Sequence, residues 1–280
     1  MLIIYDFTPR ITIFTDNITT LESLLIYAMK TITYQSDYLG NGFEFATINQ
    51  PDDYEGKVVA TVIRKQCSMP SNKAVLYVHG FNDYFFQSDM AHRFNEKEYH
   101  FYAIDLRKYG RSTLPHHKSN NMRSLTEYFA DLDEALDIIR QEGNEQVLLS
   151  GHSTGGLLVT LYASERVGNE KFDTIFCNSP FYDMNMPGYQ KRLLVPLVAL
   201  FGKYFPDVLL PGKISEWYGH SLHGEKKGEW DYNLVWKPHL VPALNAGWIS
   251  AIHQGHTKIK KGIILTRPIL VMHSHQSIYS

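Results

Sequence analysis

The run Gln146-Val147-Leu148-Leu149-Ser150 leads into Gly151-His152-Ser153-Thr154-Gly155, and the chain continues as Gly156-Leu157-Leu158-Val159-Thr160-Leu161-Tyr162-Ala163. A strand-compatible apolar segment, a G-x-S-x-G pentad and a helix-compatible segment, in that order, describe a sharp strand-to-helix turn with a serine at its tip. The turn forces the serine into a strained conformation and closes only if the residues two positions away on each side lack side chains, which glycine provides. Ser153 is thereby the candidate nucleophile. The pentad alone is common, so the flanking strand and helix give it its weight. The competing reading is a tight turn whose serine only caps the helix.

The 280 residues leave room for one large α/β domain with a substantial core, here expected to carry an insertion. Lys and Arg number 27 against 29 Asp and Glu, a formal charge of -2. No basic field therefore recruits nucleic acid or an anionic membrane, and a small molecule is the expected partner. Cys67 and Cys177 are the only cysteines. They make no disulfide framework, fit a reducing, cytoplasmic compartment, and are both expected in the core. The longest apolar stretch, residues 193–201, is under half of the roughly 20 residues that span a bilayer, so no transmembrane helix is expected. Asp6, Arg10, Asp16 and Glu22 interrupt the first 28 residues, which lack the layout of a signal peptide. Residues 1–28 are read as an extension without a role in the fold, and 29–280 as the domain.

Along the chain, residues 57–65, 74–78, 99–104, 146–150 and 173–177 read as strands rich in apolar and β-branched side chains. Ser124 and Glu127 have capping-box spacing, and Leu125, Phe129, Leu132, Leu136 and Ile139 form one helical stripe that ends before Gly143. Strands alternating with helices predict a mostly parallel sheet covered on both faces. From Asn178 the rhythm changes. Prolines recur at 180, 187, 196, 206, 211, 238 and 242, and all four tryptophans fall at 217, 230, 236 and 248. A mainly helical cap over about 180–261 is expected, with an aromatic lining suited to an acyl or alkyl group. Most of these aromatics are assigned the plainer role of fixing the cap to the core. Residues 262–265 and 268–272 are expected to return to the sheet, after which eight residues remain.

With His79-Gly80-Phe81, the run Asp105-Leu106-Arg107-Lys108-Tyr109-Gly110-Arg111-Ser112 and Gly151-His152-Ser153-Thr154-Gly155-Gly156 in that order, the chain resembles the α/β-hydrolases. It is most similar to the branch of serine aminopeptidases and monoacylglycerol lipases or lysophospholipases. The resemblance covers about residues 34–272. It implies an α/β-hydrolase fold and an oxyanion hole made by the backbone N–H groups of Phe81 and Thr154, fixed dipoles aimed at the oxygen of a tetrahedral intermediate. It also implies structural roles for His79 and His152 and a packing role for residues 105–112.

In this fold the triad runs serine, acid, histidine, the last two on loops after later strands. The tail His273-Ser274-His275-Gln276-Ser277-Ile278-Tyr279-Ser280 holds no Asp or Glu. The chain is read as stopping short of the family's acid loop, closing strand, histidine loop and terminal helix, with an exposed sheet edge as the consequence. The candidates that remain are Asp183, just after the strand at 173–177, as acid, and His275 or His273 as base. The pairs His220/His223, His253/His256 and His273/His275 have no cysteine or carboxylate cluster beside them, so neither a metal nor another cofactor is expected. The function expected is a serine hydrolase acting on carboxylic esters of lipid-like or small acyl substrates through an acyl-enzyme on Ser153. The alternatives are a serine aminopeptidase and an inert hydrolase remnant that binds a ligand in the cap pocket.

Overall fold

Two ten-residue strands, β2 (Glu44–Asp53) and β3 (Gly56–Lys65), form an antiparallel hairpin towards one side of the sheet. The computed structural model describes residues 32–211 and 217–275. The chain divides after Thr33, and the described sheet and helices belong to the second unit. The extension expected at residues 1–28 lies outside the described residues.

The remaining strands are β1 (Gln35–Ser36), β4 (Lys73–Val78), β5 (His100–Asp105), β6 (Gln146–His152), β7 (Thr174–Asn178) and β8 (Ile269–Met272). They form one eight-stranded sheet in the order β1-β2-β3-β5-β4-β6-β7-β8. β1, β2, β3 and β5 pair antiparallel, and β5, β4, β6, β7 and β8 pair parallel. β4 and β5 are buried over all but their first residue, as parallel strands covered on both faces must be.

The helices follow from local sequence. Ser124 Oγ accepts from the Thr126 amide, and the Glu127 carboxylate accepts from the Ser124 amide. This capping box starts a 3-10 turn, Leu125–Tyr128, that passes into α2 (Phe129–Gln141). All five members of the predicted stripe are buried. α1 (Ser88–Glu96) buries only Ala91. α3 (Thr154–Glu165) is buried continuously from Gly155 to Ala163, which is why it carries no polar face. Residues 262–265, expected in the sheet, run outside it. Gly262, at φ 94°, ends a long helix there, and the segment carries the chain back to the start of β8.

The insertion after β7 holds a π-helical turn, Gln190–Leu194, running into α4 (Val195–Tyr204), then α5 (Trp217–Leu222) and irregular chain up to α6 (Ala246–Lys261). α4 meets α6 so closely that a side chain on Gly202 would overlap the Ala246 carbonyl. Its other side turns Leu197, Leu200 and Tyr204 to solvent. α6 is the crossover to β8, and it packs on α3 where Gly255 meets Leu157 and Leu161. The aromatics between β7 and β8 divide: Tyr189, Tyr204, Phe205 and Trp217 are exposed, while others reach the sheet domain. Trp236 stands edge-on to Tyr38 and Tyr84, and Trp230 edge-on to Phe86. Cys177 is buried, but Cys67 is only partly so, because it sits in the turn after β3 beside the Met69 carbonyl. No helix among the described residues is long and apolar enough to cross a membrane.

Candidate active site

Ser153 stands between the C-terminal end of β6 and the first turn of α3, with φ 53° and ψ -119°. A non-glycine residue in this region costs of order 1–3 kcal/mol and persists only where its surroundings enforce it. Here they do. The Ser153 amide donates to the Asn178 carbonyl at 3.1 Å, and its carbonyl accepts from the amides of Phe181 (2.9 Å) and Leu157 (3.2 Å). The glycines are needed for space: a Cβ on Gly151 would stand 2.5 Å from the Gly155 carbonyl oxygen, and one on Gly155 would overlap the carbonyls of Val78 and His79. The Ser153 hydroxyl makes no capping bond to α3, which removes the reading of a mere helix cap.

The loop leaving β4 passes directly over this turn. A Cβ on Gly80 would lie 3.1 Å from Ser153 Cβ. His79 anchors the loop: Nε2 accepts from the Leu106 amide at 3.1 Å, which leaves the proton on Nδ1 to donate to the Gly80 carbonyl at 2.7 Å. Burial pushes this imidazole below its ordinary pKa and keeps it neutral. Residues 105–112 brace the same loop from behind. Asp105 accepts from the amides of Phe85 and Arg111 and from the Arg111 guanidinium, which also pairs with Asp37. Neither the Phe81 amide nor the Thr154 amide, the latter at the unsatisfied start of α3, has an acceptor among the described residues.

Phe81, Ser153 and Thr154 share one cavity of about 530 Å³. Phe181, Met184, Met186, Val241, Leu244, Trp248 and Ile249 supply its apolar wall, and Asn82, Asn185, Lys237 and His239 its polar side chains. The Trp248 ring lies tilted by 57° to the Phe81 ring, with 4.9 Å between centroids. His152 opens instead into a second cavity of about 360 Å³ with Tyr77, Asp83 and Met90.

Ser153 is not joined to either member of the expected acid and base pair. Asp183 is exposed and forms ion pairs with Lys191 (2.7 Å) and Lys260 (3.3 Å). Its slight burial opposes ionisation, but the two ammonium groups hold its carboxyl below the usual range. His275 and His273 are exposed beyond β8, and His273 Nδ1 lies 2.9 Å from the Ser274 carbonyl. None of these three lines the Ser153 cavity. Asp183 is diverted by Lys191, eight residues on, and by Lys260, 77 residues away on α6, and the β8 exit lies beyond β7 from the elbow. The histidine that does line the cavity, His239, carries no sequence signal; it follows Pro238 in irregular chain. Both its ring nitrogens are buried without a hydrogen-bond partner. Desolvation, with His220 and His223 nearby, keeps it neutral. His223 engages backbone with both nitrogens, at Tyr232 and Glu225. Among the described residues no group of three His, Cys, Asp or Glu is placed to hold a metal.

An eight-stranded sheet in this order, with a strained serine between a central strand and its helix, defines an α/β-hydrolase fold. Residues 69–276 match the family model described as serine aminopeptidase, S33, and the chain belongs to that family. No curated protein matches it in sequence. A soluble variant of monoglyceride lipase from Saccharomyces cerevisiae, solved with a substrate analog, shares the fold at 17% identity and a TM-score of 0.57, over 88% of this chain and 78% of that one. A monoacylglycerol lipase from Paleococcus ferrophilus does so at 19% identity and 0.54, over 75% and 77%. A thermostable carboxyl esterase from Bacillus coagulans, in complex with glycerol, is similar at 15% identity and 0.54, over 76% and 72%.

Proposed function

We propose that the protein is a serine hydrolase that cleaves carboxylic esters of lipid-like or other small acyl substrates through an acyl-enzyme on Ser153. The observation that carries this reading is the wall of the Ser153 cavity, mostly apolar and, among the described residues, with a lysine as its one charged side chain. An acyl chain gains about 0.8 kcal/mol for each CH₂ buried in such a place. An aminopeptidase must hold a substrate ammonium group, which a carboxylate holds best, and among the described residues none that lines this cavity is Asp or Glu. That the fold is shared with two lipases and an esterase points the same way by analogy.

In the proposed reaction Ser153 Oγ attacks the ester carbonyl, and the Phe81 and Thr154 amides receive the developing oxyanion. The alcohol leaves with a proton, and water then releases the acid and restores the serine hydroxyl. His79 and Gly80 shape the loop that carries the first amide. A cytoplasmic location belongs to the same proposal, supported by two free cysteines.

The second reading, a ligand-binding protein without turnover, rests on one observation. No imidazole hydrogen-bonds the Ser153 hydroxyl among the described residues, and a serine without a base is a poor nucleophile. Hydrolysis of p-nitrophenyl esters with short, medium and long acyl chains, beside aminoacyl p-nitroanilides, tests the proposal. Ester turnover that Ser153→Ala abolishes, with the anilides untouched, is the expected result. Anilide cleavage alone would favour the peptidase, and binding of a fluorescent fatty acid without any turnover would favour the second reading.

A further inference from the structure

We propose that Lys237 is a positioning residue, which fixes the candidate oxyanion loop through Asp83; this rests on the serine hydrolase reading above. Residues 79–83 carry the Phe81 amide past Ser153. The start of the loop is held by His79 and its end by the Phe85 amide on Asp105. Between these anchors Asn82 has φ 49°, a conformation that a non-glycine residue keeps only under constraint.

The cap supplies that constraint. Lys237 Nζ lies 2.8 Å from Asp83 Oδ1, and both side chains are 8% exposed. Beside this pair the Asn82 amide group donates to the Pro238 carbonyl at 3.2 Å. The Asn233 amide donates to the Tyr84 hydroxyl at 2.7 Å. The Lys237 ammonium also sits over the rings of Phe86 and Tyr232, at 5.6 and 5.5 Å from their centroids. A lysine so enclosed has given up its water, and Asp83 is what compensates it. Lys237 cannot move without leaving a buried charge unpaired, and Asp83 cannot move without taking residues 81–82 with it.

The position matters because Lys237 lines both the Ser153 cavity and the neighbouring cavity that holds His152. It thus forms part of the wall between them, next to the loop. An oxyanion donor works only within about 2.7–3.1 Å of the developing charge, and a misplacement of about 1 Å can cost on the order of 100-fold in rate. The pair therefore sets the geometry of a donor that Lys237 itself does not provide.

The test is steady-state kinetics on a short-chain ester for the wild type, Lys237→Met, Lys237→Arg and the double variant Asp83→Leu/Lys237→Met, with amide hydrogen exchange of residues 79–85 on each. Replacing both members of a buried pair by apolar groups is often neutral for stability, so the double variant keeps a folded protein in hand. We expect kcat to fall on the order of 10- to 100-fold in K237M and in the double variant, with KM changed less than about threefold. Partial recovery is expected in K237R, and faster exchange at residues 80–83 in both apolar variants. Unchanged kcat with unchanged exchange overturns the proposal, as does a kcat loss that K237R does not recover. A wild type without ester turnover would sink the hydrolase reading instead. Hydrogen exchange alone then decides whether Lys237 holds the loop.

Discussion

The main-chain amide of Phe181 donates to the carbonyl of Ser153 at 2.9 Å. This bond joins the strained tip of the elbow to the first residues leaving β7. With the Ser153 amide on Asn178, it means that the conformation presenting the hydroxyl is imposed from the neighbouring strand. The elbow should therefore be sensitive to backbone crowding far more than to changes in the cap.

Gly155→Ala is expected to destabilise the protein by about 3 kcal/mol, because its Cβ would meet backbone carbonyls that cannot give way. Gly188→Ala is the control: nothing lies within 4 Å of a Cβ there, and the expected change is within about 0.5 kcal/mol. Urea unfolding of both variants checks this, and equal midpoints would contradict it.

Asp183→Asn is expected to leave ester hydrolysis within about twofold of wild type, since exposed ion pairs contribute little and Asp183 commits its carboxylate to Lys191 and Lys260. A loss of activity with unchanged folding would make Asp183 the acid after all.

Stability should fall on mild acidification. Burial lowers the pKa of His79, His152 and His256 below 6.5. For His256, whose Nε2–H donates to the Phe181 carbonyl at 2.8 Å, that bond and Asp183 oppose burial without overcoming it. The unfolded chain restores the ordinary values, so below about pH 6.5 it binds protons that the folded protein refuses. The denaturant midpoint should thus drop between about pH 7 and about pH 5, and a flat or rising midpoint would contradict the burial of these rings.

Among the described residues β8 is the outer strand on its side of the sheet, and Leu270, Val271 and Met272 are exposed along it. Such an edge invites pairing. Sedimentation velocity is expected to show concentration-dependent association that Val271→Lys reduces; a single monomeric species at all concentrations would refute this.

Legibility in the sequence tracks burial. β3, β4 and β5 each hold a run of apolar and β-branched residues at their centre, and the stripe of α2 repeats at helical spacing, so both kinds of element are visible. β2 is hidden by Pro51 and a polar, half-exposed pattern, and α1 by a face that buries only Ala91. At the site, Ser153 and its glycines are legible because the turn dictates their identity. Lys237 and Asp83, 154 positions apart, are not, since no local pattern announces a buried pair formed by tertiary packing. His239 is invisible for the same reason.

The most direct measurement is intact-mass analysis after exposure to a fluorophosphonate, with Ser153→Ala alongside. A working nucleophile in a formed oxyanion site gives one stoichiometric adduct, mapped to Ser153 and absent from the variant, while the two proteins melt alike. A protein that melts cooperatively yet takes up no adduct would show that Ser153 is unactivated and that the molecule is not the proposed hydrolase.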